Sequence, residues 1–446
     1  MLKKVLIANR GEIAVRIIRT CREMGIRSVA VHSDVDQAAL HVRLADESVC
    51  IGPASPAKSY LNIPSIIAAA EITGADAIHP GYGFLSENAE FAATVLECGL
   101  AFVGPSESDI RNWGDKVEAR RMATSLGIPT LPGSATLESS AHALREAERL
   151  GFPLMLKARA GGGGRGIKMI SSRQDLLDVF ETASHEALVG FGDGSLYLEK
   201  LIVNPRHIEF QVMADNENVW VLGERECSVQ RRHQKLLEES PSPAVSHELR
   251  HDMSATISRA IKDSGYRSAG TLEFLMDASG ELYFLEMNTR IQVEHPITEA
   301  VMGVDIVEAQ LRAAAGEQIR MPNKDLLPRG HAIECRINAE DPDTFAPWPG
   351  PIDEFHPPGG RGIRVDSGVF GGARVPPHYD SLIFKVISHA QNRNDAIVSM
   401  RRALRETIVT GIRTNIALHH RILSHPDFVA GRISTDFLAK LALHNG

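Results

Sequence analysis

The sequence predicts a chain of mixed α/β and α+β class in three domains: an N-terminal doubly wound α/β domain, a middle domain with a small lobe, and a C-terminal α+β domain. Three observations lead there. The chain has 446 residues, and at about 150 residues per domain that length suits three. Over roughly the first quarter of the chain, short apolar runs alternate with helical patterns, as βαβ units around a parallel sheet do. Past the glycine cluster at 161–166, strand-like runs follow one another with one long helix among them, which reads as an antiparallel sheet.

The elements follow in order. Residues 4–8 are apolar and read as a buried strand, Glu12 to Met24 as a helix with Gly25 placed to end it, and Ser28 to His32 as the next strand. Ala75 to Ile78 and Leu100 to Val103 continue the pattern, with helices at about Ser65 to Thr73 and Glu87 to Cys98. These make a first domain of residues 1–112. The second domain covers 113–328, and its lobe, about 130–202, has strands at Leu154 to Ala158 and Ile167 to Ile170 and a helix from about Gln174. Runs at Ile208 to Met213, Val219 to Leu222, Thr271 to Met276 and Leu282 to Glu286, with a helix at Leu249 to Ser264, supply the antiparallel sheet. The turn-rich stretch Pro347 to Gly372 lies in the third domain, 329–446.

Composition narrows the function. The net charge of −8 and 5% aromatic content argue against a global nucleic-acid surface. No stretch approaches the eighteen or so apolar residues of a membrane span, and the apolar run at the start is too short for a signal peptide. Five cysteines, scattered and without C-x-x-C, suggest neither a disulfide framework nor a cysteine zinc site, and fit a reducing cytoplasm.

Gly161-Gly162-Gly163-Gly164-Arg165-Gly166 lies between two strand-like runs, where glycines let backbone N–H groups close on phosphate oxygens. Lys157 could add a point charge there. A plain hairpin loop is the alternative, and the run is not a Walker A loop, since no Gly-Lys-Ser/Thr follows. If Thr271 to Asp277 pairs with Leu282 to Asn288, Glu273 falls opposite Glu286, with Asn288 on the same face. Facing carboxylates repel unless a cation lies between them, and oxygen ligands on adjacent strands suit Mg²⁺. The run Arg231-Arg232-His233-Gln234-Lys235 reads either as a solvated basic face or as an anion site. His247-Glu248-Leu249-Arg250-His251 fits the H-E-x-x-H pattern, but Leu249, Met253, Ile257 and Ile261 define the buried stripe of its helix. Both histidines then lie about 200° from Leu249 and face water, so zinc peptidase chemistry is rejected.

Ile7 to Ala14, His79 to Asn88, the glycine run, Gln230 to Lys235, Glu286 to Pro296 and His331 to Pro342 together closely resemble the biotin carboxylase family, from residue 1 to about 440. The resemblance implies an ATP-grasp domain with a mobile lid, ATP and Mg²⁺ (or Mn²⁺) as cofactors, and bicarbonate and biotin as substrates. It implies ATP contacts at Lys116, Lys157, Gly161, Gly162, Gly163, Gly164, Gly166, Glu199, Lys200, Ile202, His207, Gln230, His233, Glu273 and Glu286. It assigns the metal to Glu273, Glu286 and Asn288, and bicarbonate to Lys235, Arg290, Gln292, Val293 and Glu294. Glu294 is the implied base, Arg336 and Tyr82 the biotin groups, and Lys235, Arg290 and Arg336 the implied partners in catalysis. Trp348, Phe384, Ser240 and His247 depart from the commonest family pattern.

The chain lacks the Ala-Met-Lys-Met sequence to which biotin is attached. The resemblance therefore implies biotin on a separate biotin carboxyl carrier protein, carboxyltransferase subunits as further partners, and a homodimer. Acetyl-CoA carboxylase is the implied parent complex, ahead of a two-subunit pyruvate or other acyl-CoA carboxylase. Two rivals are a different ATP-grasp carboxylate-amine ligase and a non-catalytic regulatory subunit. A dehydrogenase is excluded, because Asn9-Arg10-Gly11-Glu12 is no dinucleotide fingerprint.

Overall fold

The computed structural model describes residues 2–161, 166–321 and 326–443. Gly162, Gly163 and Gly164 of the expected phosphate loop lie outside the described residues. The first sheet is parallel, built from β1 (Lys4–Ile7), β2 (Arg27–Ser33), β3 (Glu47–Gly52), β4 (Ala77–His79) and β5 (Ala101–Phe102) in the order β3-β2-β1-β4-β5. Val5, Leu6 and Ile7 are fully buried, as a central parallel strand covered on both faces requires. β3 escapes the sequence reading because it is an edge strand whose exposed and half-buried residues alternate.

The order reverses direction at β1, and the segments after β1 and β4 open a crevice there. Asn9 holds it in shape, its Nδ2 donating to the carbonyls of Pro80 (2.7 Å) and Tyr82 (2.8 Å).

β6 (Leu154–Ala158), β7 (Ile167–Ile170) and β8 (Leu196–Lys200) form a three-stranded antiparallel sheet, order β7-β6-β8. Helices Ser140–Leu150 and Arg173–Phe191 cover it, and Leu154, Leu156, Phe180 and Leu198 give this lobe a core of its own.

The largest sheet is antiparallel and has eight strands. β9 (Arg206–Ala214), β10 (Val219–Arg231), β11 (Gln234–Ser240), β12 (Ser268–Met276), β13 (Leu282–Asn288) and β14 (His331–Asn338) are joined by Leu382–Ala390 and Ile363–Ser367. Pairing of β11 with β14 carries the sheet from the middle segment into the C-terminal one, a continuity the sequence reading did not foresee. β10 also runs nine residues beyond the expected end at Leu222, so Gln230 and Arg231 are strand residues. The turn to β11 is made by Arg232 and His233, both left-handed (φ 48° and 66°).

Helix His247–Ser264 starts on the Ser246 cap, and His247 and His251 are exposed, as the rejection of a peptidase site required. Of the unusual residues, Phe384 is fully buried against Phe355 (ring centroids 5.0 Å apart), and Ser240 donates to the Glu224 carbonyl at 2.7 Å.

Candidate functional site

One cavity of about 1,380 Å³ opens between the first sheet, the lobe and the large sheet. Its floor is a row of charge across four strands. The register sets Glu286 on β13 against Glu273 on β12, Glu273 against Glu209 on β9, and Glu209 against Arg225 on β10. The expected pairing of Glu273 with Glu286 is present, but a bulge produces it. Met276 to Phe274 pair with Leu282 to Phe284, Leu285 is the extra residue, and Glu273 then meets Glu286 with Asn288 two residues on.

Lys235 follows the β10–β11 turn and is the hub of the site. Its Nζ donates to Glu273 Oε1 and Glu294 Oε1, each at 2.8 Å, and to Glu209. Burial disfavours the ammonium, but Glu209, Glu273 and Glu294 outweigh that and raise its pKa well above the usual lysine value. Burial likewise opposes ionisation of Glu294, yet Lys235, Arg336 and Arg225 hold it well below the ordinary carboxylate range. Glu273 is held low in the same way, by Lys235 and His207. Both carboxylates are therefore ionised at neutral pH. The approach of His207, Glu209 and Glu273 is compensated by the Lys235 ammonium, so these three do not need a metal to coexist.

The segment from Arg290 to Glu294 is fixed from several sides. Arg290 donates from Nε to Glu87 (2.9 Å) and from Nη2 to Asn288 Oδ1 (2.8 Å). Gln292 accepts from Arg225 Nη2 at 2.5 Å and donates to Glu273 at 2.8 Å, which fixes the sense of its amide. The Val293 carbonyl accepts from Lys385 Nζ at 2.6 Å. Arg336 on β14 donates to Glu238 (2.6 Å) and to Glu294 Oε2 (2.9 Å). Tyr82 donates its hydroxyl to Glu12, whose carboxylate lies 3.1 Å from Lys385 Nζ.

At the end of the cavity next to the lobe, Lys116 Nζ lies 3.0 Å from Glu286, and Lys157 pairs with Glu199. Gly161, Ile202, His207, Gln230 and His233 line the cavity with them. Three expected contacts also have partners within the fold. Glu199 is buried and pairs with Lys157; Lys200 lines the cavity and donates its Nζ to the Gly151 carbonyl (2.7 Å). Gly166 closes the strand turn: its φ is 74°, its carbonyl accepts from Ala158 N, and a Cβ there would meet Ala158 at 2.8 Å.

The sequence reading passed over Glu209, Arg225, Glu238, Glu87, Glu12 and Lys385. The signal for some was present: Glu209 and Gln211 alternate with apolar residues in β9, and a buried strand carrying such residues must pair them.

The biotin carboxylase N-terminal domain family matches residues 1–110, the ATP-binding domain of the carbamoyl-phosphate synthase L chain 115–321, and the biotin carboxylase C-terminal domain 334–440. A biotin carboxylase from Nostoc sp. is 54% identical over 441 residues, 98% of this chain and 99% of that one. The chain belongs to the biotin carboxylase family. The Haemophilus influenzae biotin carboxylase is 53% identical, with 99% of each chain covered. Among solved structures, the Campylobacter jejuni biotin carboxylase in complex with β,γ-ATP superposes with a TM-score of 0.95 at 46% identity, over 99% of both chains. The biotin carboxylase domain dimer of Hydrogenobacter thermophilus 2-oxoglutarate carboxylase, with MgADP, ADP and bicarbonate, gives 0.94 at 48% identity, over 99% of this chain and 98% of that one. Family membership makes this biotin carboxylase an ATP-dependent ligase of three-domain ATP-grasp architecture. Among the described residues, no helix is long and apolar enough to cross a membrane.

Proposed function

We propose that this biotin carboxylase uses ATP and bicarbonate to carboxylate biotin borne on a separate biotin carboxyl carrier protein, as the first half-reaction of an acetyl-CoA carboxylase. One observation carries the reading: Lys235, Gln292, Glu294 and Arg336 meet in one hydrogen-bonded cluster on the wall of the cavity that Lys116 and Lys157 also line. Such a cluster of fixed donors suits a small anion.

Lys116 and Lys157 hold the ATP phosphates, with Gly161 to Gly164, Gly166, Glu199, Lys200, Ile202, His207, Gln230 and His233 completing the nucleotide site. Glu273, Glu286 and Asn288 present two carboxylates and an amide oxygen on adjacent strands, a donor set that fits a hard divalent ion. Mg²⁺ or Mn²⁺ held there supplies neutralising charge for the transferring phosphoryl group.

Lys235, Arg290, Gln292 and the Val293 backbone orient bicarbonate, and Glu294 removes its proton as oxygen attacks the γ-phosphorus and ADP leaves. Carboxyphosphate then breaks down to CO₂ and phosphate. The phosphate takes the ureido proton of biotin, the freed nitrogen attacks CO₂, and Arg336 stabilises the enolate-like ureido oxygen against a pocket lined by Tyr82.

The lid is the lobe 130–202 within a middle domain of 113–328, flanked by domains 1–112 and 329–446. The protein acts in the cytoplasm as a homodimer and delivers to carboxyltransferase subunits. ADP release is the test, with bicarbonate and free biotin each present or omitted. Release that requires bicarbonate and rises with biotin is expected; release indifferent to both refutes the reading. Adding acetyl-CoA or pyruvate to the co-purified complex then names the acceptor.

A further inference from the structure

Trp348 is the one exposed aromatic side chain among the described residues, 41% accessible where other aromatics are buried or half-buried. It is also held still. Its backbone N–H donates to the Ala339 carbonyl at 2.8 Å. Arg413 stacks over its ring (4.6 Å from guanidinium carbon to centroid) and is itself paired with Asp341. An exposed tryptophan pre-organised by an arginine is the composition of an interface anchor, because little side-chain freedom is left to lose on docking.

Its position identifies the partner. Pro347 and Pro349, on either side of it, line the mouth of the cavity. On the same loop Phe345 carries a second stack, with Arg231 at 3.8 Å. Arg231 and its neighbour Arg232 form no salt bridge among the described residues, and Arg232 also lines the mouth. A macromolecule that inserts a short biotinyl-lysine arm into this cavity must rest its body on that rim. It meets an indole with two arginines beside it, of which Arg232 is exposed and Arg231 has Glu340 as an acidic neighbour short of a salt bridge.

We propose that the Trp348–Arg413 stack, flanked by Arg231 and Arg232, is the platform on which an acidic face of the biotin-bearing carrier domain docks. The proposal rests on the cavity being a biotin carboxylation site. The indole buries apolar surface against the carrier, and the two arginines steer and orient it, an interaction that salt weakens.

The test measures ADP release with a biotinylated carrier domain as the varied substrate and with biotinyl-lysine, which has the same arm without the carrier body. In Trp348→Ser the KM for the carrier should rise about tenfold, the loss expected of a moderate hot spot. The kcat and the biotinyl-lysine kinetics should stay unchanged, and Trp348→Phe should keep most of the affinity. Added NaCl should raise the carrier KM more than that for biotinyl-lysine. An unchanged carrier KM in Trp348→Ser overturns the proposal, as does an equal loss with biotinyl-lysine, which would make Trp348 part of the reaction pocket. A change in sedimentation of that variant without carrier would make the surface a self-contact and also overturn it. If the unaltered chain turns over neither biotin substrate, the carboxylation reading itself fails.

Discussion

Replacing Glu294 with glutamine tests the proposed base with little change in shape. Glu294 is 2% exposed in its side chain and accepts from Lys235 at 2.8 Å and Arg336 at 2.9 Å. A glutamine oxygen can keep one of these bonds but has no negative charge. Each cation retains another carboxylate, Lys235 with Glu209 and Glu273, and Arg336 with Glu238. The loss is therefore nearer the about 1.5–3 kcal/mol of a hydrogen bond to a charged group than the about 3–5 kcal/mol of stranding a buried ion. The fold should survive. Catalysis should fall much further, because positioned acid–base groups contribute about 10²–10⁴-fold. The assay is bicarbonate-dependent ADP release, with ATP affinity measured separately by equilibrium binding. ATP binding close to that of the unaltered chain, with turnover down by at least about a hundredfold, is the expected pair of results. Unimpaired bicarbonate-dependent turnover would refute the assignment of Glu294 as base.

Arg336→Ala should reduce biotin carboxylation more than bicarbonate-dependent ATP cleavage; equal losses would show that Arg336 serves the first step as well. Glu286→Gln should raise the Mg²⁺ concentration needed for half-maximal turnover, and excess EDTA should abolish turnover; an unshifted Mg²⁺ curve would remove Glu286 from the metal set. Burial, aided by Glu294 and opposed by Arg336, pushes Glu238 up to about 7, above the about 4.3 of an unfolded glutamate. Between those values the folded chain keeps a proton that the unfolded chain releases, so this stabilisation is complete below the lower value and lost as pH rises through the upper one. Urea midpoints of the unaltered chain should accordingly fall relative to Glu238→Gln between pH 5 and 7.5, and a constant difference would refute the shift. Arg225→Met should lower stability by about 3–5 kcal/mol and raise the KM for bicarbonate, measured by urea unfolding and initial rates; a normal KM would show that Gln292 needs no such support.

The parts legible in the sequence are those whose signal is local. The buried strand at Val5 to Ile7, the lobe strands on either side of the glycine run and the helix capped at Ser246 are read from neighbours within a few residues. The Glu273–Glu286 pairing was also legible, although the reasoning behind it was incomplete. The turn after Met276 sets a register one residue out, and only the bulge at Leu285 restores the facing carboxylates. β11 was missed because Lys235 and Glu238 to Ser240 look like a polar loop; they form a strand since the sheet continues on both sides and Lys235, Glu238, Glu239 and Ser240 each find a polar partner in the assembled fold. Arg225 was missed for the same reason. Its value as a hub comes from Glu209, Gln211, Thr271, Gln292 and Thr298, residues up to 73 positions away that meet only when the sheet is assembled.

The charge pattern also explains why the proposed metal belongs to this site. ATP and bicarbonate are anions, yet the cations proposed to receive them already have carboxylate partners: Lys157 has Glu199, Lys116 has Glu286, Lys235 has three, Arg290 has Glu87 and Arg336 has Glu238 and Glu294. Adding substrate anions to these pairs would leave the buried Glu199, Glu273 and Glu294 facing further negative charge, a cost of several kcal/mol for each uncompensated buried charge. Divalent cations held at Glu273 and Glu286 would offset that charge and would leave Lys116, now paired with Glu286, available to the phosphates. On the proposed assignment, the carboxylates that hold the lysines in place would be the groups that make activity depend on the metal. Neutralising Glu286 should therefore weaken metal binding and phosphate positioning together, a coupling that a site built only of cations would not show.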